Sequence, residues 1–435
     1  MRFISTNSVS HPVSIVEALD RCVAEDGGMF MPESIPALPK AFFNNIGEMS
    51  LKEIAFVVAD TLLDGDVAAS TLKTVAYESF SADAPLVKVG DNTYILELFH
   101  GPTLTFKDYG ARAMACFMKR VSHSRPGMKR NVLVATTGNT GAAAANGLLG
   151  LDGVNVSVLY PKGFLTRSQT AQFTALGKNI HAVEIAGTVE DCKQLVKNAL
   201  SDPALSDLNL TGANSINIAR LLPQITFTMH AYARLVEMGV ENADRAVYSM
   251  PCGNLSNLVA AVMAGRMGVP SGQLVAATNA NNQLAPLMDG AKEPESGRRP
   301  IRTLAPSADM VYPSGWPRLL HLYNGDLAAM KRDIKAVSVD DFSISETINR
   351  LRDEHGYTID PHGAMAYAAA ADVPSDVPKV ILATGHPAKQ LDIMTRVTSA
   401  AIEMPVQLTQ FMSVRRHATI IPPTLPALRK HLLNL

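Results

Sequence analysis

Lys107 stands directly after the apolar stretch Leu104-Thr105-Phe106 and a Gly101-Pro102 turn, within HGPTLTFKD from His100 to Asp108. An amine held among apolar neighbours loses solvation, which lowers its pKa and suits it to condense with a carbonyl. Residue type alone leaves the ordinary alternative standing, because most lysines are solvated surface charges. Two further segments offer anion donors. Pro251-Cys252-Gly253-Asn254-Leu255-Ser256-Asn257 joins an apolar run to an Ala-rich stretch, so its small residues would let several backbone N–H groups converge on a phosphate. A plain turn with Asn or Ser as a helix cap fits the same residues and is the commoner outcome on shape alone. Thr136-Thr137-Gly138-Asn139-Thr140-Gly141 is a second such turn, rich in hydroxyl and amide groups, and it supports an anion site and a simple helix cap about equally. The chain has no G-x-G-x-x-G, and no Lys-Ser/Thr follows the first loop, so nucleotide fingerprints are absent.

These loops need a scaffold to bring them together. VLVAT at 132–136, VNVSVLY at 154–160, RAVYSM at 245–250, QLVAAT at 273–278 and KVILAT at 379–384 are short Val- and Ile-rich runs that read as buried strands. Several lead through a glycine-bearing turn into a stretch of helical character, and that alternation predicts a parallel α/β sheet. Ligands then gather at the carboxyl ends of the strands, where helix starts favour anions. Ahead of this region, Leu51, Ile54, Val58 and Leu62 keep helical spacing over 51–63. Thr188 and Asp191 have capping-box spacing before another amphipathic helix. The Pro- and Gly-broken stretch from Pro286 to Trp316, with PESGRRP inside it, is expected to wrap the surface.

At 435 residues the chain exceeds one compact core, so two lobes with a cleft between them are expected. Hydrophobic residues at 47% and charged residues at 18% describe a globular chain. A formal charge of -1 offers no bulk attraction for nucleic acid or an anionic membrane, so any anion must be held by local geometry. Cys22, Cys116, Cys192 and Cys252 lack paired metal or disulfide spacings, which fits a reducing cytoplasm. No signal-peptide pattern opens the chain and no apolar run reaches membrane-spanning length.

Taken together, the segments resemble the threonine synthases, fold-type-II pyridoxal-phosphate enzymes, in their longer bacterial and fungal form. The likeness runs in one order from FISTNS and AEDGGMFMPE through ELFHGPTLTFKDYGARAMA, LVATTGNTGAAAANG, VLYPKG and NSINIARLLPQ to MPCGNLSN, YTIDPHGA and LATGHPAKQ. It implies two parallel-sheet lobes with helices on both faces: an N-terminal mostly helical region over 1–85, a catalytic core over 86–435, and a smaller mobile lobe over roughly 110–215. It implies pyridoxal 5'-phosphate as cofactor, carried on Lys107 as an internal aldimine, with the same lysine later moving protons. Gly253, Asn254, Leu255, Ser256 and Asn257 would cradle the cofactor phosphate, Thr384 would meet the pyridine nitrogen, and Asn139 would sit near the ring hydroxyl. Thr137, Gly138 and Thr140 would surround the substrate carboxylate. Asn214, Ser215, Asn217 and Arg220, with Thr103, would hold the substrate phosphate; Arg167 and Lys162 are weaker candidates.

The implied reaction takes O-phospho-L-homoserine and water to L-threonine and phosphate, with no nucleic-acid or membrane partner and a monomer or homodimer as the working form. This chain departs from the family pattern at Asn139 in place of an aspartate, Cys252 in place of a serine, Leu255-Ser256 in place of Phe-Gly, and Gly315 in place of an asparagine. If the family's second glycine uses positive φ, Ser256 is expected to be strained. Cys252 reads as a packing residue, and His100 and His386 as neighbours that position rather than react. A β-eliminating or β-replacing enzyme on serine, threonine or O-acetylserine, a silent ligand sensor, and a nucleotide-binding α/β protein are the alternatives.

Overall fold

Each of the five apolar runs forms a strand, and Val154–Pro161 is buried at every position, which is why it reads as continuous hydrophobic sequence rather than as alternation. In the computed structural model, residues 1–121, 129–292 and 299–435 are described. The strands build two sheets. The larger runs Ile334–Ser338, Leu274–Thr278, Val247–Pro251, Lys379–Ala383, Thr93–Glu97, Leu86–Gly90. Its neighbours are parallel except for the last pair, an antiparallel edge. The smaller sheet is parallel throughout, in the order Thr419–Ile421, Ile180–Ile185, Val154–Pro161, Arg130–Ala135, Leu210–Gly212.

The strand Thr419–Ile421 differs from the expected division, which gave everything beyond the middle segment to the larger lobe. It adds to the smaller sheet, where Ile421 is buried with Val183 and Leu428 in an apolar cluster beneath that sheet. In the N-terminal region, the helices Ile15–Arg21, Lys40–Asn45, Leu51–Leu63 and Ala69–Ser79 accompany a two-stranded ribbon of Phe3–Ser5 and Phe30–Pro32. Helix Leu51–Leu63 starts with a complete capping box between Ser50 and Glu53, and Val189–Ser201 with one between Thr188 and Asp191. One apolar core joins Phe3, Phe30 and Ile54 of the N-terminal region to Tyr94 and Leu258 of the larger lobe and Val132 of the smaller. Both sheets are therefore covered on both faces.

Of the stretch expected to wrap the surface, residues 293–298, and with them most of PESGRRP, lie outside the described residues. Its remainder corrects the expectation. Thr303, Ala305 and Ala308 are buried, and the segment from Pro306 to Tyr312 forms a wall of the central cleft. Among the described residues no helix is long and apolar enough to cross a membrane.

Candidate active site

The carboxyl ends of three strands place the site. Ala135 leads into the Thr136–Gly141 turn, Pro251 into the Cys252–Asn257 loop, and Ala383 into Thr384. Because Val247–Pro251 and Lys379–Ala383 are neighbours in one sheet, the second and third of these lie side by side. All three open on one cleft of ≈ 2740 Å³.

Lys107 is the first residue of the helix Lys107–Arg120 and lines that cleft. The segment before it is sewn to Thr384. Phe106 donates its backbone N–H to the Thr384 carbonyl at 3.0 Å, Thr105 Oγ1 donates to the same oxygen at 3.2 Å, and His386 N–H reaches the Leu104 carbonyl at 3.1 Å. Lys107 Nζ has no hydrogen-bond or ion-pair partner among the described residues. Burial, aided by the positive charge of Arg220, pushes its pKa down to about 8. This is a poised amine rather than a solvated surface charge.

In the Thr136–Gly141 turn, Thr136 Oγ1 accepts the N–H groups of Gly138 at 2.9 Å and Gly141 at 2.8 Å, which leaves Thr137, Asn139 and Thr140 on the cleft. Gly138, at φ 116, is the bend itself. Asn139 begins the helix Asn139–Leu148, and its Oδ1 is buried without a donor among the described residues.

The Cys252–Asn257 loop presents Gly253, Asn254 and Ser256 to the cleft, while Leu255 and Asn257 turn into the core. Asn254 Oδ1 accepts the Ser256 N–H at 3.2 Å, and its Nδ2 donates to Ser215 Oγ at 2.5 Å. The expected strain at Ser256 is corrected. Ser256 is the first helical residue of Ser256–Arg266, and the left-handed conformation falls one position earlier, at Leu255 with φ 68. Burial of the Leu255 side chain, 2% exposed, offsets the cost of about 1–2 kcal/mol that such a backbone carries. Cys252 is buried and its thiol is pushed up to about 12 by desolvation, so it packs and does not react.

The Asn214–Arg220 segment divides. Asn214 clamps the end of the strand through Ala135, accepting its N–H at 3.1 Å and donating to its carbonyl at 2.8 Å. Ser215 and Arg220 line the cleft. Arg220 is 5% exposed, donates to the carbonyls of Ala213 at 2.8 Å and Lys107 at 3.3 Å, and keeps Nε without a partner among the described residues. Asn217 is not brought to the cleft: it is fully buried, capping the helix Ile218–Leu221 and donating to Leu19 and Gly212 carbonyls. Thr103 also lies behind the wall, with both its N–H and its Oγ1 donating to the Asp108 carboxylate. Of the weaker candidates, Lys162 lines the cleft, whereas Arg167 donates to the Met412 carbonyl at 3.2 Å. His100 pairs with Glu97 at 2.6 Å, and His386 accepts the Ala388 N–H at 3.1 Å.

Sequence reasoning missed the buried layer behind Lys107. Asp108 is buried, with its pKa raised by desolvation. Lys389 is buried against Gln172, to whose Oε1 it donates, and desolvation pushes its amine down to about 7. Both stand in the quoted motifs, but nothing in a linear string marks a charged residue as buried.

These residues fit an aldehyde carrying a phosphate ester. An amine of lowered pKa shares the cleft with a small-residue loop at a helix start, and the segment from Pro306 to Tyr312 packs so closely on that loop that a Cβ at Gly253 would sit 3.0 Å from Ser307 O and Ala308 Cα. Asn139 Oδ1, in the Thr136–Gly141 turn of the same cleft, is an acceptor without a donor among the described residues. Two parallel-sheet lobes around a helix-start lysine define a fold-type-II pyridoxal-phosphate enzyme. In agreement, residues 81–385 match the family of pyridoxal-phosphate dependent enzymes, and residues 2–80 match the threonine synthase N terminus.

The chain belongs to the threonine synthase family. It is 37% identical to threonine synthase of Haemophilus influenzae across 92% of this chain and 93% of that protein, and 32% identical to that of Escherichia coli across the whole of both. The crystal structure of threonine synthase from Escherichia coli superposes with a TM-score of 0.92 at 31% identity, covering all of both chains. The pyridoxal-phosphate-bound threonine synthase of Brucella melitensis superposes at 0.90 with 29% identity, covering 100% of this chain and 99% of that one. Maize serine racemase, at 17% identity, a TM-score of 0.53 and 73% of this chain, shares the fold alone.

Proposed function

We propose that the chain converts O-phospho-L-homoserine and water to L-threonine and phosphate, with pyridoxal 5'-phosphate held on Lys107. The observation that carries this reading is that one cleft is lined by a low-pKa amine, by the small-residue Cys252–Asn257 loop and by the buried guanidinium of Arg220 near Ser215 in sequence. The Cys252–Asn257 loop suits the cofactor's phosphate; Ser215 and Arg220 provide for a second. A β-eliminating enzyme on serine or threonine needs no second phosphate site.

The cofactor, when bound, supplies an electron sink that lets protons leave the substrate carbons near its amine. The chain's residues do the rest. Backbone N–H groups of 253–257 other than that of Ser256, which Asn254 Oδ1 accepts, would hold the cofactor phosphate, Thr384 Oγ1 would meet the ring nitrogen, and Asn139 would stand by the ring hydroxyl. Thr137, Thr140 and the helix start at Asn139 orient the substrate carboxylate. Arg220 lines the cleft as a buried cation and would meet the substrate phosphate, with Ser215 and Asn254 lining the same cleft. Lys107 Nζ takes a proton as a neutral amine and returns it as an ammonium, which a pKa near neutrality permits in both directions. In the net reaction the bond from Cγ to the ester oxygen breaks, the γ carbon regains a proton, and water adds its oxygen at Cβ.

The protein works in the cytoplasm as a monomer or homodimer. Its four cysteines are free and buried, as a reducing compartment allows. The test compares phosphate release from O-phospho-L-homoserine with turnover of serine, threonine and O-acetylserine, and maps the borohydride-fixed cofactor by mass. Turnover confined to the unphosphorylated amino acids, or a label at a lysine other than Lys107, overturns the assignment.

A further inference from the structure

Three walls of the cofactor site meet at a buried acid–base pair to which the roles above assign nothing. His362 lines the cleft at 5% exposure, with Nδ1 2.7 Å from Asp360 Oδ2. Its other nitrogen, Nε2, accepts the backbone N–H of Ser307 at 3.1 Å. A backbone N–H can only donate, so Nε2 carries no proton; the imidazole is neutral and its single proton sits on Nδ1, donating to Asp360. Asp360 is fixed in turn. It is 2% exposed, and its Oδ1 accepts the Gly363 N–H at 2.8 Å at the head of the helix Pro361–Ala369.

Ser307 belongs to the strap that backs the phosphate cradle. The close approach of Ser307 O and Ala308 Cα to Gly253 leaves no room for a side chain between them. The strap's other side is knotted by Asp309, which accepts Thr303 N–H at 3.1 Å, Thr303 Oγ1–H at 2.7 Å and Asn279 Nδ2 at 2.8 Å. Asp360 Oδ2 also lies 3.5 Å from where a Cβ on Gly385 would stand, next to Thr384. The pair thus touches the strap, and through the strap the cradle, and it lies near the Thr384 turn.

We propose that Asp360 and His362 are positioning residues for the cofactor: Asp360 sets the tautomer of His362, and its Nε2 holds Ser307 so that the strap presses Gly253 into a phosphate-binding shape. This rests on the reading of 253–257 as the cofactor cradle. What the pair supplies is an acceptor at one point in space, and that distinguishes it from mere packing.

His362→Gln places an amide oxygen near the Nε2 position, while His362→Asn is too short to reach Ser307, and both keep a polar side chain. Pyridoxal-phosphate affinity is measured by titration of the cofactor-depleted full chain, and amide hydrogen exchange over 303–310 is followed without cofactor. The expected result is roughly tenfold or greater weakening in His362→Asn, affinity within about threefold of the parent in His362→Gln, and faster exchange in the Asn variant alone, the scale of one buried hydrogen bond. Equal affinities in all three proteins, or equal losses in both variants, overturn the proposal. A parent that takes up no pyridoxal phosphate defeats the cofactor assignment instead, and the exchange measurement then decides by itself whether His362 holds the strap.

Discussion

Asn254 donates from Nδ2 to Ser215 Oγ at 2.5 Å, a contact that joins two loops lining one cleft. Arg318 reinforces the junction from behind, donating to the carbonyls of Ser215 at 2.8 Å and Ile216 at 2.7 Å. The 252–257 loop, proposed for the cofactor, and the 214–220 segment, proposed for the substrate, are therefore joined. Asn254→Ala and Ser215→Ala are each expected to raise KM for phosphohomoserine, and the double variant to lose less than the two effects added, with a coupling of about 0.5–3 kcal/mol. A double-mutant cycle on kcat/KM measures this, and strict additivity would show that the loops act independently.

The pKa of Lys107 sets a pH dependence. With a value of about 8, roughly a tenth of the amine is neutral at pH 7, against roughly one part in three thousand for an ordinary lysine. The rate at which added pyridoxal phosphate attaches to the cofactor-depleted protein should rise about tenfold per pH unit below 8 and level off above it. Stopped-flow absorbance from pH 6 to pH 10 gives the profile. A rate still climbing steeply past pH 9 would place the amine in its ordinary range.

Much of the scaffold is legible in the sequence, because a buried parallel strand must be a continuous apolar run and Val154–Pro161 is one. The turns at 136–141 and 252–257 are equally visible, since small residues between strand and helix have few other uses. What linear reading misses depends on distant contacts. Asn217 looks like Asn214 in the string, yet one amide reaches Leu19 from 198 positions away and the other stays at the cleft edge. The strained position in the phosphate loop was displaced by one residue because helix start and backbone sign are decided together, and only the observed φ at Leu255 separates them. Asp360 and His362 lie in a recognised motif, but their job appears only when Ser307, 55 positions away, is placed opposite.

His230 should govern part of the acid stability. It is 6% exposed, its Nε2–H donates to the Ala84 carbonyl at 2.9 Å, and burial pushes its pKa down to about 4. The unfolded chain therefore binds a proton near pH 6.5 that the folded chain refuses until about pH 4, so stability falls as pH drops through that window and levels off below it. The full span is worth about 3 kcal/mol at most. His230→Gln keeps a donor for Ala84 without a titrating ring and should flatten the loss between pH 6.5 and pH 4 in urea titrations. An unchanged slope would assign the acid sensitivity to other groups.

Gly315 tests the shape of the 252–257 loop proposed to cradle the phosphate, because it packs directly on Asn254 and Leu255. Its N–H donates to Asn254 O at 2.9 Å, and a Cβ there would stand 2.4 Å from that same oxygen and 3.2 Å from Leu255 Cβ. Gly315→Ala must push Asn254 and Leu255 toward the cleft, at a cost of about 1–3 kcal/mol. The displaced backbone donors should then weaken pyridoxal-phosphate binding by roughly tenfold or more. Gly265→Ala is the control, because it lies in the helix that follows the same loop with open space around it and should leave affinity unchanged while gaining about 0.5–1 kcal/mol. Cofactor titration and thermal unfolding of both variants separate strain in the loop from a general effect on the helix. If Gly315→Ala binds cofactor as tightly as the parent, the loop tolerates displacement and its present geometry does not set the affinity.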